Sequence, residues 1–131
     1  MTQDGPLAKL ANLVATMSLE EKLGQLTMIR EDEAQVLNAR AGSILDLQEP
    51  GRIRKLQEIA LGKTRLGIPL LFALDVLHGF ETIFPIPLAE AAAMDPALWK
   101  ATARAAAAEA AAAGIALTFA PMLDVARDPR W

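Results

Sequence analysis

The chain contains no cysteine, which excludes disulfides and thiolate metal sites together. Histidine occurs once, at His78. One imidazole beside one acid falls short of the roughly three protein ligands that a metal site needs, so no metal is expected. No run of basic residues is present and the net charge is −3, so neither nucleic acid nor an anionic membrane is expected as a partner. No apolar run approaches the roughly 18–20 residues needed to cross a bilayer. Neither a Gly-x-Gly-x-x-Gly nor a Gly-x-x-x-x-Gly-Lys pattern appears. Nucleotide cofactors therefore lack support, and no cofactor is expected. Residues 1–9 hold no apolar stretch flanked by positive charge, so no signal peptide is expected there. Periplasmic, secreted and cytoplasmic locations all stay open.

What is present is a chain of 131 residues, 53% hydrophobic and 22% charged, long enough for one ordinary domain with a core. Leu7, Leu10, Ala11 and Val14 form one stripe at helical spacing. Ser18 followed by Glu21 predicts a capping box at the start of a second helix, whose Leu19, Leu23 and Leu26 share a face. The charged stretch 31–40 reads as a short helix or loop, and Gly42-Ser43-Ile44-Leu45 as a buried strand. After Pro50-Gly51 a helix turns Ile53, Leu56 and Ile59 inward, with Gly62 and Gly67 at its exit. Residues 68–76 are apolar apart from Asp75, the pattern of a parallel strand covered on both faces. A short helix is expected over 88–93. Asp95 as N-cap, Pro96 at the first helical position and Gly114 past the end then delimit a long alanine-rich helix. Residues 115–125 are a third apolar strand that contains Asp124.

This alternation implies parallel strands joined by right-handed crossovers, as in a doubly wound sheet or a (β/α)₈ barrel. In both, the functional site lies at the carboxyl ends of the strands. Asp75 and Asp124 occupy such ends. A carboxylate there needs partners, and two explanations stand open: each caps a turn or pairs with a base, or each serves a site. His78 reads as a loop histidine bonded to backbone, and Gly79 as the residue that permits a tight turn. The cluster Arg127-Asp128-Pro129-Arg130-Trp131 fits a solvated loop or a sugar-binding rim, and composition does not separate the two.

Several blocks resemble family 3 glycoside hydrolases in order and spacing. They are Met17-Ser18-Leu19-Glu20-Glu21-Lys22-Leu23-Gly24-Gln25-Leu26, Gly42-Ser43-Ile44-Leu45, and the stretch 65–79 ending in Leu74-Asp75-Val76-Leu77-His78-Gly79. Thr82-Ile83-Phe84-Pro85-Ile86-Pro87-Leu88-Ala89 and residues 118–131 complete the set. The resemblance implies an α/β fold, the N-terminal part of a (β/α)₈ TIM-like barrel with about three strands and their helices. Residues 1–131 would form a single partial domain that stops in the loop after the third strand. It further implies retaining hydrolysis of terminal non-reducing β-D-glucosyl or related residues. The expected partners are a β-glucoside or oligosaccharide substrate, the remainder of the barrel and a following domain.

Within this resemblance the family's nucleophile and acid/base lie beyond Trp131, so no catalytic residue is assigned. Asp75 aligns with the acid that grips hydroxyls of the terminal sugar in the −1 subsite. The family's sugar-binding Arg follows the tryptophan matched by Trp131, so Arg127 and Arg130 do not take its role. Asp75-Val76-Leu77-His78-Gly79 resembles the β-glucosidase and β-xylosidase branch rather than the N-acetylglucosaminidase branch, where Asp-Gln-Glu-Gly-Gly is usual. Glu81, Met94 and Ala116-Leu117 depart from the family pattern. The competing expectation is a catalytically inactive partial barrel serving as a carbohydrate-binding or interaction module.

Overall fold

The computed structural model describes residues 5–123, 125, 127 and 128. Asp124, Pro129, Arg130 and Trp131, singled out above, lie outside the described residues. Two compact units divide the chain, Met1–Phe72 and Ala73–Trp131.

In the first unit α1 (Pro6–Thr16) and α2 (Leu19–Gln25) lead into a short strand, β1 (Met28–Ile29). Then follow α3 (Glu33–Leu37), β2 (Ser43–Leu45), α4 (Pro50–Lys63) and the start of β3 (Leu71–Leu74). The capping box forms as expected: Ser18 Oγ accepts from Glu21 N at 3.2 Å, and Glu21 Oε2 accepts from Ser18 N at 2.8 Å. Gly24 has a close-approach reason for lacking a side chain, because a Cβ there would stand 2.1 Å from the Ala39 carbonyl oxygen.

β1 and β2 run parallel, with Met28 opposite Ser43 and Ile29 opposite Ile44. Leu71 N donates to Gly42 O at 3.0 Å. The core collects Val36, Ile44, Leu56 and Phe72, with Ile53, Ile59 and Ala60 of α4. Each large side chain so buried contributes about 1.5–3 kcal/mol. Arg52 pairs with Glu31 at 2.5 Å and Lys55 with Glu33, which ties α4 to the segment holding α3. The apolar stripe of α1 is not covered: no residue of that helix is buried.

The second unit contains the end of β3, α5 (Pro87–Ala92), α6 (Pro96–Ala113) and β4 (Leu117–Thr118). β3 and β4 are parallel, Ala73 opposite Leu117 and Leu74 opposite Thr118. The long crossover between them carries both helices, as a parallel pair requires. Asp95 accepts from Ala97 N and Leu98 N, Pro96 opens α6, and Gly114 closes it at φ 97°. Ala106, Ala110 and Ala113 are the buried positions of α6, a flat face that lets backbone approach closely.

The three expected strands are present but shorter. Gly67 is left-handed at φ 58°, and Pro69 and Pro121 have no N–H to donate, which trims β3 and β4. β1 is an additional strand, over two residues for which the sequence alone gives no expectation.

Candidate functional site

β3 ends at Leu74, and Asp75 is the first residue beyond it. Its backbone is pinned on both sides. Leu74 O accepts from Phe119 N at 3.3 Å, and Val76 N donates to Thr118 Oγ1 at 3.3 Å. Thr118 Oγ1 also accepts from Ala120 N at 3.2 Å, so one hydroxyl ties the exits of both strands. The Asp75 side chain is exposed. Among the described residues its carboxylate takes part in no hydrogen bond or ion pair. The turn-capping explanation therefore lacks the bonds it requires.

Three residues on, the chain makes a tight turn. His78 O accepts from Phe84 N at 2.8 Å, and the His78 ring meets Phe84 O at 3.2 Å through Nδ1. A carbonyl only accepts, so Nδ1 carries the proton there and a neutral ring leaves Nε2 as an acceptor. This is the backbone-bonded loop histidine expected from the sequence. Gly79 bridges antiparallel to Ile83. With φ 117° and a hypothetical Cβ only 1.9 Å from Thr82 O, the position admits glycine alone.

The tip of the turn is tied to α6. Glu109 Oε2 accepts from Glu81 N at 3.0 Å and from Thr82 N at 2.9 Å, while Oε1 accepts from Thr82 Oγ1 at 2.6 Å. These bonds hold the Glu109 carboxyl below its ordinary range, the Thr82 hydroxyl first, then the Thr82 and Glu81 amides. Neither Glu109 nor Thr118 is evident from the sequence as a residue of the site. A lone acid within the alanines at 105–113 is the one signal that could have exposed Glu109.

A cleft of about 690 Å³ opens beside the turn, lined by His78, Phe84, Trp99, Thr102, Met122 and a wall of α6 alanines. Asp75 is not among its lining residues. Trp99 Nε1 donates to Glu90 O at 2.6 Å. Met94, one of the departures noted above, is exposed at φ 49° in the link between α5 and α6. Arg127 and Asp128 are exposed. No group of three or more His, Cys, Asp or Glu suited to a metal occurs among the described residues.

The sequence model of the Glycosyl hydrolase family 3 N terminal domain matches residues 18–131. A periplasmic β-glucosidase from Salmonella typhimurium is 37% identical across all of this chain, which corresponds to 18% of the relative. A probable β-glucosidase C from Aspergillus flavus is 31% identical over 92% of the chain and 24% of its own length. Among solved structures, β-glucosidase from Listeria innocua in complex with isofagomine superposes with a TM-score of 0.85 at 38% identity. The match covers all of this chain and 19% of that one. β-N-acetylhexosaminidase from Beutenbergia cavernae is more distant, with a TM-score of 0.70 and 27% identity over 88% of this chain and 41% of its own. The parallel α/β arrangement matches the N-terminal (β/α) barrel domain of these β-glucosidase structures. The chain belongs to glycosyl hydrolase family 3, within its N-terminal domain. It spans about a fifth of the length of the Salmonella typhimurium and Listeria innocua enzymes it matches.

Proposed function

We propose that this chain supplies part of the −1 sugar subsite of a retaining β-glucosidase, as a segment of a single partial barrel domain. The observation that carries the reading is Asp75, an exposed carboxylate at the carboxyl end of a parallel strand, without a partner among the described residues. Strand ends of this kind are where α/β barrels place substrate-binding groups. The relatives named β-glucosidase support a β-glucoside as the substrate class, and structures of the Listeria innocua enzyme with glucose and with laminaribiose point the same way.

In this role the Asp75 oxygens accept hydrogen bonds from two sugar hydroxyls. Each bond is charge-assisted and worth roughly 1.5–3 kcal/mol. Retaining hydrolysis uses two further carboxyl groups about 5–5.5 Å apart, one attacking the anomeric carbon and one protonating the departing oxygen. The family resemblance assigns neither to this chain. Asp75 binds and orients, and as the ring flattens its bonds strengthen, so part of their worth reaches kcat.

Assaying the complete gene product on a panel of aryl glycosides tests the substrate class. Preference for β-glucosides, or for the related β-xylosides, supports the reading. Turnover confined to N-acetyl-β-glucosaminides would overturn the branch assignment.

A further inference from the structure

The geometry points to Glu109 as a positioning residue that latches the turn 78–84 beside the proposed sugar subsite. The inference rests on the reading of the strand end at Asp75 as that subsite. Three donors from two adjacent residues converge on the Glu109 carboxylate, at 2.6, 2.9 and 3.0 Å. Among the described residues apolar packing does not hold the tip of the turn, because Glu81, Thr82 and Ile83 are all exposed and Ile83 keeps 69% of its surface. The neck is closed by the His78–Phe84 pair and the Gly79–Ile83 bridge. Beyond the neck, Glu109 is the sole side chain tying the tip to a helix among the described residues. Glu109 itself stands on α6, a helix with an ordered cap at each end.

The latch therefore fixes the shape of a segment that begins three residues after Asp75. A turn released from it must be ordered again each time substrate binds. That ordering draws on binding free energy and leaves the chemical step nearly alone.

Hydrogen exchange and steady-state kinetics on the complete enzyme carrying this chain test the inference, with Glu109→Ala, Glu109→Gln and Thr82→Val beside wild type. In Glu109→Ala the Glu81 and Thr82 amides should exchange at least about tenfold faster. KM for an aryl β-glucoside should rise about five- to thirtyfold while kcat changes by less than about threefold. Glu109→Gln keeps one acceptor oxygen and should fall between the two. Unchanged exchange in Glu109→Ala, or faster exchange with unchanged KM, overturns the assignment. If Glu109→Ala fails to fold, Thr82→Val, which removes only the hydroxyl bond, must show a smaller rise in both readouts. Its failure to do so also overturns the assignment. A wild-type enzyme without turnover counts against the glycosidase reading instead, and the exchange rates alone then decide the latch.

Discussion

The Arg65 guanidinium grips the Glu21 carboxylate through two N–H donors, Nε to Oε1 at 2.9 Å and Nη2 to Oε2 at 2.5 Å. Nη2 also donates to Thr16 O at 2.9 Å. Glu21 is at the same time the N3 residue of the α2 capping box. One carboxylate thus joins the start of α2 to the segment after α4, and Arg65 to the end of α1. Arg65→Lys keeps the charge but loses the fork, so it should lower the thermal midpoint of the complete enzyme by up to about 1 °C. Calorimetry checks this. A midpoint unchanged by Arg65→Lys would show that a point charge suffices.

Acidification should loosen the same fastenings. Bonding from Arg65 and then Ser18 lowers the Glu21 pKa, and bonding from Thr82 and Glu81 lowers that of Glu109. A depressed folded-state pKa contributes stability above the unfolded value, near 4.5 for both, and that stability is lost as pH falls through the folded value. Stability should therefore stay level, as far as these groups go, from neutral pH down to about 5, and fall in more acid solution. Glu109→Gln should remove its share of the slope. Denaturant midpoints at a series of pH values give the comparison, and an identical slope in Glu109→Gln would contradict it.

Core and surface leucines should separate cleanly. Leu56 keeps 1% of its surface and packs in the first unit, whereas Leu7 keeps 82%. Leu56→Ala should cost about 2–5 kcal/mol through lost burial and the cavity left behind. Leu7→Ala should stay within about 0.5 kcal/mol. Urea denaturation of each variant measures both.

The isolated 131-residue chain should associate at micromolar concentration and hydrolyse no aryl β-glucoside. Leu26, Met94 and Leu123 are each more than four-fifths exposed, alongside exposed Leu88 and Val125. Apolar surface of that extent favours self-association. Light scattering that reports a monodisperse monomer would contradict the first expectation, and turnover above a mock preparation the second.

Local grammar was legible in the sequence. Ser18 with Glu21, and Asp95-Pro96 with Gly114, announce helix ends because the bonds that cap them span two to five residues. Ile53, Leu56 and Ile59 announce an inward face because burial follows the helical period. β1 was not legible: two residues are too few to show any period, and a partner 15 residues away defines the strand. The same holds for Glu109 and Thr118, whose bonds reach across 27–28 and 42 residues. Asp75 stands out because an acid interrupts an apolar run, yet its proposed role rests on resemblance, since an exposed carboxylate and a capping one look alike in sequence.

The most direct test of the account is kcat/KM of Asp75→Asn in the complete enzyme, measured on its best aryl glycoside with folding verified by circular dichroism. Asn keeps the shape and removes the charge, so both charge-assisted bonds to the sugar weaken while the backbone ties of Leu74 and Val76 stay in place. The account predicts a loss of at least about a hundredfold, or roughly 3 kcal/mol, shared between kcat and KM. Near wild-type kcat/KM in Asp75→Asn would contradict it and return Asp75 to the status of an ordinary exposed acid at the end of a strand.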